Sequence, residues 1–188
     1  MEPTQNEHPY ARLTPDLILR ALESAGFVCD GRLLALNSYE NRVYQIGIED
    51  SPPVIAKFYR PGRWSKQAIL EEHAFSQELA AQEIPVIAPV TDEHGESLHE
   101  LEGFLFAAYP RCGGRWPDLD TKAQRQQMGR FLGRMHAIGA TRHFQHRNRL
   151  DIATLGDASR RFVLEEKLVP DYLFDAYATL SDDLLKQI

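Results

Sequence analysis

A single lysine interrupts an otherwise apolar segment of the sequence. Lys57 lies between Val54 and Tyr59, in a run whose residue types are typical of a β-strand. An ammonium group among apolar neighbours must be paired, or must reach solvent from an edge strand along its own alkyl chain. The strand pattern by itself favours the edge position, because lysine is almost never fully buried without a partner.

A carboxylate on the next predicted helix offers such a partner. Capping by Ser65 and helical spacing predict a helix from residue 65 to about residue 81. Its predicted apolar stripe consists of three residues, Ala68, Phe75 and Leu79. Glu72 lies on the same stripe and is predicted to approach Lys57, whereas Glu71 lies one position around the helix and is predicted to face solvent.

A pair of this kind has a chemical use in enzymes that transfer phosphoryl groups. There, a lysine held by a helix glutamate grips the α- and β-phosphates of a bound nucleotide. A structural ion pair, or two separately solvated charges, is compatible with the same spacing. The spacing of Lys57 and Glu72 therefore leaves a nucleotide site and a structural pair as alternatives.

Two other segments are candidates for nucleotide contacts. In the polar turn 37–41, backbone N–H groups and the Ser38 hydroxyl are able to reach phosphate oxygens. This turn contains no glycine, and an ordinary hairpin turn is its simpler interpretation. The run 104–109 leads into Pro110 and Gly113, which predicts either a hinge whose backbone groups meet an adenine ring or a plain linker.

The elements that must position these residues form a strand-rich block followed by a helical one. Thr14 caps a first helix, and five segments then have strand character: 33–36, 43–48, 54–59, 85–90 and 103–109. With the helix at 65–81, this order predicts an α+β fold in which one helix lies across a mostly antiparallel sheet. Helical spacing begins again near Met128 and continues in 151–188.

Composition and charge exclude several functional classes. The chain has 188 residues, of which 43% are hydrophobic, and a formal charge of −6, which does not suit a general nucleic-acid binder. Its two cysteines are too few for a disulfide framework, and no ligand at suitable spacing accompanies His143 and His146, so no metal site is predicted. Without a signal peptide or a long apolar run, the sequence predicts a cytoplasmic protein that does not enter membranes.

Several strings of the sequence resemble the bacterial stress response kinase A family. They are LNSYENRVYQ at 36–45, AKFYRP at 56–61, ILEEH at 69–73, GF at 103–104, GGR at 113–115 and GRFLGRMH at 129–136. The resemblance runs in order over nearly the whole chain. Members of that family are serine/threonine protein kinases with the aminoglycoside-phosphotransferase and choline-kinase variant of the protein-kinase fold.

The resemblance implies roles for individual residues. Ser38 would lie in the loop that covers the nucleotide and would contact ATP. Lys57 would grip the phosphates, with Glu72 as its helix partner and Glu71 as the alternative. The residues that would form the hinge and face adenine are Ala107, Ala108 and Tyr109.

The resemblance also implies a division of the chain and a missing part. Composition and helical spacing predict a flexible arm at 1–12, a hinge or linker at 111–120 and helices from 121 to 188, and the resemblance implies that 13–110 is a kinase-like N-lobe and 121–188 a partial helical C-lobe. Kinases of this type carry a His-Gly-Asp catalytic loop and a following magnesium-binding aspartate, and no His-Gly-Asp string occurs in this sequence. We therefore expect no catalytic or metal-binding residue in this chain, and no phosphoryl transfer by it alone.

For the longer parent protein, the resemblance implies an ATP- and Mg²⁺-dependent kinase of stress response. Its partners would be ATP and proteins phosphorylated on serine or threonine, including itself, and neither nucleic acid nor membrane. One alternative is a phosphotransferase for a small alcohol of the aminoglycoside, choline or homoserine type. Another is a binding module without catalytic activity.

Overall fold

The computed structural model describes residues 8–188, and its first part is built around a five-stranded antiparallel sheet. The strands are β1 (Cys29–Leu36), β2 (Arg42–Ile48), β3 (Ser51–Phe58), β4 (His99–Leu101) and β5 (Phe104–Pro110). Their order across the sheet is β1-β2-β3-β5-β4, and every neighbouring pair is antiparallel. The predicted α+β fold with an antiparallel sheet is confirmed.

Five α-helices accompany the strands within the described residues. They are α1 (Pro15–Ser24), α2 (Lys66–Ala81), α3 (Lys122–Gly139), α4 (Ala158–Glu165) and α5 (Phe174–Leu185). The predicted caps are confirmed, since Thr14 Oγ1 accepts the N–H of Leu17 at 3.2 Å and Ser65 Oγ accepts that of Ala68 at 3.1 Å. A π-helical turn, Ala153–Asp157, precedes α4, and a 3₁₀ turn, Asp171–Leu173, precedes α5.

The central strands contribute side chains alternately to two apolar clusters. Ala56 and Phe58 of β3 belong to the cluster that also contains the buried stripe of α1. On β5, Ala107 belongs to the second cluster, together with Ile69 of α2. Because side chains alternate along a strand, Lys57 lies on the α2 face of the sheet.

The prediction of a strand at 85–90 is wrong, and the fourth strand is the short β4. Pro85 and Pro89 have no N–H to donate to a neighbouring strand. Val90 donates its N–H to the carbonyl of Ala108 at 2.8 Å, so the segment runs beside β5 without joining the ladder.

The end of the predicted flexible arm differs from the structure. Residues 1–7 lie outside the described residues, but Tyr10 is buried in the apolar core of the sheet. Its hydroxyl lies 3.0 Å from the carbonyl oxygen of Glu40 and 3.3 Å from that of Phe58. This burial raises the pKa of Tyr10 to about 12. Tyr10 therefore belongs to the packed structure.

The described part of the chain divides into two compact units, one ending at His146 and the other formed by Arg147–Ile188. In the second unit, Arg160 of α4 donates to Ser181 Oγ and to the carbonyl of Ala178, both at 2.9 Å. The predicted linker at 111–120 contains neither helix nor strand, and the predicted domain boundaries stay a prediction. Between residues 8 and 188, no helix has both the length and the apolar character needed to cross a membrane.

Candidate functional site

Lys57 and Glu72 form an ion pair between the sheet and α2. The Lys57 Nζ lies 3.0 Å from Glu72 Oε1, and the two side chains are 23% and 34% exposed. The predicted approach of these two groups is therefore confirmed. Partial burial protects such a pair from solvent screening, which gives it a more defined geometry than a surface pair. The role of the pair in nucleotide binding stays a prediction.

The aromatic ring of Tyr59 packs against the Lys57 ammonium. Lys57 Nζ lies 4.6 Å from the centre of the Tyr59 ring, within the range of a cation–π interaction. The Tyr59 hydroxyl lies 2.7 Å from His73 Nε2 and 3.1 Å from the Tyr109 hydroxyl. His73 is 1% exposed, and its Nδ1 lies 2.9 Å from Ser97 Oγ. A buried polar network thus lies beneath the ion pair, and burial raises the pKa of Tyr109 within it.

The buried face of α2 differs from the predicted stripe. Ala68 and Leu79 are buried as predicted, but Ile69 and His73 are the other buried residues of the helix. Phe75 lies outside this face and packs edge-on against Phe144, with ring centres 5.7 Å apart.

The prediction that Glu71 faces solvent is wrong. Glu71 is half-buried, and its two carboxylate oxygens accept backbone N–H groups from the segment after α3. Oε1 accepts the N–H of Gln145 at 2.5 Å, and Oε2 accepts that of His146 at 2.9 Å. Adjacent glutamates of α2 therefore point to different partners, and Glu72 is the one that meets Lys57.

A cleft of about 370 Å³ opens beside the ion pair. Its lining consists of Val43, Ile55, Lys57, Glu72, Ser76, Ile87, Tyr109, Pro110 and Cys112. Val43 of β2 and Ile55 of β3 give the cleft apolar walls, and Lys57 adds a positive charge to its lining. Apolar walls with a few polar groups are typical of small-molecule sites, and here they suit a flat ring that carries an anionic group.

A second cavity, of about 490 Å³, lies between the end of α1 and the turn that precedes β4. Its lining includes the carboxylates of Glu23, Asp92 and Glu93 and the imidazoles of His94 and His99. No lysine or arginine among residues 8–188 lines this cavity, and its three carboxylates repel an anion, so it suits a phosphate group less well than the cleft beside Lys57 does. The chemistry of the lining therefore favours the cleft beside Lys57.

The predicted phosphate-covering loop joins β1 to β2 at 37–41 and is tied to the chain that follows β3. Ser38 is exposed at its tip. The Glu40 carboxylate accepts Nε–H of Arg63 at 3.1 Å and Nε1–H of Trp64 at 3.2 Å. These bonds fix the base of the loop and leave its Ser38 end in solvent.

The residues predicted to form the adenine-facing hinge lie inside β5. Ala107 pairs with Lys57, and Tyr109 pairs with Ile55. The Ala108 carbonyl accepts the N–H of Val90 at 2.8 Å. Of these three predicted residues, Tyr109 lines the cleft, while Ala107 and Ala108 are buried in the sheet.

Comparison with known proteins identifies the family. Residues 32–187 match the phosphotransferase enzyme family, known as APH. The chain belongs to this family. It is 40% identical to stress response kinase A of Escherichia coli O157:H7 over 179 residues, which cover 95% of this chain and 54% of that protein. The predicted family resemblance is thereby confirmed.

Two further proteins are similar to this chain, one in sequence and one in structure. It is 38% identical over 183 residues to the serine/threonine protein kinase RdoA of Salmonella typhimurium, covering 97% of this chain and 56% of that protein. The chain thus spans about half the length of the curated relatives it matches. The structure of amicoumacin kinase hAmiN with AMP-PNP, Ca²⁺ and Ami has a TM-score of 0.59 and 20% identity, and the match covers 86% of this chain and 56% of that one. This likeness shows the shared fold.

Sequence patterns did not identify two residues that lie beneath the ion pair, Tyr59 and His73. Tyr59 follows Lys57 by two positions, so strand alternation already places both on one face. His73 follows Ile69 by four positions, which is the spacing of one helix face. No group of three or more His, Cys, Asp or Glu side chains suited to a metal ion occurs in the described range 8–188. The placement of magnesium ligands outside this chain stays a prediction.

Proposed function

We propose that this chain is the N-terminal, nucleotide-binding part of an ATP-dependent serine/threonine protein kinase of stress response. The observation that carries the proposal is the Lys57–Glu72 ion pair, with its 3.0 Å separation, at the edge of a largely apolar cleft. The names of the two curated relatives support the assignment to a protein kinase of stress response.

In this proposal, the Lys57 ammonium binds the α- and β-phosphates of ATP, and Glu72 holds it in place. The adenine ring lies against Val43 and Ile55, near Tyr109 at the end of β5. Ala107 and Ala108 are buried within β5 and do not line the cleft, so of the three predicted hinge residues Tyr109 is the one proposed to meet the ring. Ser38 closes over the phosphates from its exposed position in the β1–β2 loop.

Phosphoryl transfer in the parent kinase requires groups that we place outside this chain. A catalytic aspartate and Mg²⁺ ligands stabilise the transferring group electrostatically. A complex of the related amicoumacin kinase contains a nucleotide analogue and a divalent cation, which supports a similar requirement here. The proposed partners of the parent are ATP and cytoplasmic proteins with serine or threonine acceptors, including the kinase itself.

A second candidate is a phosphotransferase that acts on a small molecule. The observation in its favour is the fold shared with amicoumacin kinase, whose complex contains Ami. Transfer of phosphate by the complete parent protein to a serine or threonine of a protein substrate supports the first candidate. Transfer confined to a small alcohol supports the second.

Nucleotide binding to the 188-residue chain tests the proposal directly. Calorimetric titration with AMP-PNP is expected to show binding by the wild-type chain and at least tenfold weaker binding by Lys57→Met, because one charged contact to phosphate is removed. Lys122→Met, a change of an exposed lysine at the start of α3, is the matched control. Absence of binding by the wild-type chain, or equal binding by Lys57→Met, would contradict the proposal.

A further inference from the structure

We propose that Glu71 is a positioning residue for the Lys57–Glu72 pair. This inference rests on the proposed nucleotide site, because Glu71 would keep the phosphate-binding lysine in place through α2 without facing the cleft. Glu71 does not touch the cleft, and its side chain lies against the segment 142–146 that follows α3. It acts through the position of α2.

The contact of Glu71 has the geometry of a two-point anchor. Oε1 accepts the backbone N–H of Gln145 at 2.5 Å, and Oε2 accepts that of His146 at 2.9 Å. Hydrogen bonds to a charged carboxylate are about twice as strong as those between neutral groups. Because both oxygens are used on successive backbone groups, the contact fixes the orientation of the side chain as well as its distance.

The same segment holds α2 at two further points. Phe144 packs edge-on against Phe75, one turn along the helix from Glu71. Arg142 Nη2 lies 3.0 Å from Glu78 Oε1, about two turns along. These three contacts lie in a row on one side of α2, and each of them opposes rotation of the helix about its axis.

Helix geometry connects this anchor to the cleft. Successive residues of an α-helix point about 100° apart, so Glu71 and Glu72 reach different partners from the same turn. A rotation of α2 that releases Glu71 from Gln145 also carries the Glu72 carboxylate away from Lys57 Nζ. The two contacts are therefore formed together, and each stabilises the other.

The reactivity of Lys57 tests the anchor without any nucleotide. Brief acetylation followed by peptide mass spectrometry measures the rate at Lys57, with the exposed Lys122 as an internal reference. We expect this relative rate to rise severalfold in Glu71→Gln and in Glu72→Gln, and to stay unchanged in Glu49→Gln. Glu49→Gln is the matched control, because it makes the same chemical change at an exposed glutamate outside α2.

Nucleotide affinity supplies the second readout. Glu71→Gln is expected to weaken AMP-PNP binding about fivefold or more, which is a typical coupling between separate sites. If Glu71 acts through Glu72, the double variant Glu71→Gln/Glu72→Gln binds no more weakly than Glu72→Gln alone. Independent losses that multiply in the double variant would overturn the proposal.

The two readouts separate the failure of this inference from that of the nucleotide site. If the wild-type chain binds no nucleotide, the proposed function fails, and the acetylation rate of Lys57 still decides the role of Glu71. A lower melting temperature of Glu71→Gln with unchanged Lys57 reactivity would show a structural role only and would overturn the proposal. If Glu71→Gln does not fold, Glu71→Asp replaces it, because aspartate keeps the charge on a shorter side chain. The acetylation rate of Lys57 and the affinity for AMP-PNP are then measured in Glu71→Asp.

Discussion

The ring of His73 and the hydroxyl of Tyr59 meet beneath the Lys57 ammonium, with Nε2 and the hydroxyl oxygen 2.7 Å apart. Both residues are buried, one on α2 and the other immediately after β3. The contact therefore joins the helix that carries Glu72 to the strand that carries Lys57. A hydrogen bond between buried groups adds a directional constraint to the apolar packing of Ile69 against the sheet.

Removal of the Tyr59 hydroxyl is expected to destabilise the first unit. Tyr59→Phe keeps the ring beneath Lys57 but leaves His73 without this partner, so we expect a loss of about 1–3 kcal/mol in the free energy of unfolding. Urea denaturation followed by circular dichroism measures it. Tyr172→Phe, a change at an 84% exposed tyrosine, is the control. Equal stability of the two variants would show that the contact contributes nothing.

The isolated chain is expected to be unable to transfer phosphate. Its sequence contains no His-Gly-Asp string, and we place the catalytic base and the magnesium ligands outside it. Incubation with labelled ATP, Mg²⁺ and a generic protein substrate should give no incorporation above background. Clear incorporation that disappears in Lys57→Met would refute this prediction.

The stability of the first unit is expected to fall at alkaline pH because of Tyr10. Its pKa is about 12 in the folded chain, above the ordinary value of 10.0 for a tyrosine, because burial disfavours the phenolate. The unfolded chain therefore loses this proton first, and the stability present below pH 10 is lost progressively as the pH rises toward 12.

Urea denaturation between pH 8 and pH 11.5, roughly the range in which tyrosines titrate, tests the prediction for Tyr10. The wild-type chain is compared with Tyr10→Phe, which cannot ionise at this position. We expect the free energy of unfolding of the wild-type chain to fall, relative to that of Tyr10→Phe, as the pH rises. A difference that stays constant across the range would contradict the assignment to Tyr10.

The start of α3 depends on a reciprocal cap. Thr121 Oγ1 accepts the N–H of Gln124 at 3.3 Å, and Gln124 Oε1 accepts the N–H of Thr121 at 2.9 Å. Thr121→Ala is expected to reduce the free energy of unfolding by about 1 kcal/mol, measured by urea denaturation. Thr179→Ala, within α5, is the control because alanine there favours the helix. No loss in Thr121→Ala would show that the cap is dispensable.

Local rules of the sequence determined much of the element pattern. Side-chain hydroxyls capped α1 and α2 at Thr14 and Ser65 as predicted, because capping involves residues only three positions apart. Such caps depend only on neighbours along the chain, so the residue types and their spacing are sufficient to predict them. Helical spacing also placed Glu72 rather than Glu71 toward Lys57, although the predicted stripe was partly wrong, because Phe75 lies outside the buried face of α2.

Only the tertiary structure decided the contacts between residues that are distant in sequence. Glu71 and Gln145 are 74 positions apart, and no local pattern reveals that their atoms meet. The position of the fourth strand also depends on tertiary structure. Both 85–90 and 99–101 lie near β5, and 99–101, which contains no proline, is the segment that pairs with it. Tyr10 and His73 are buried because other elements cover them. Burial of a polar group depends on which surfaces the folded chain brings together, and that arrangement exists only once the sheet and its helices have packed.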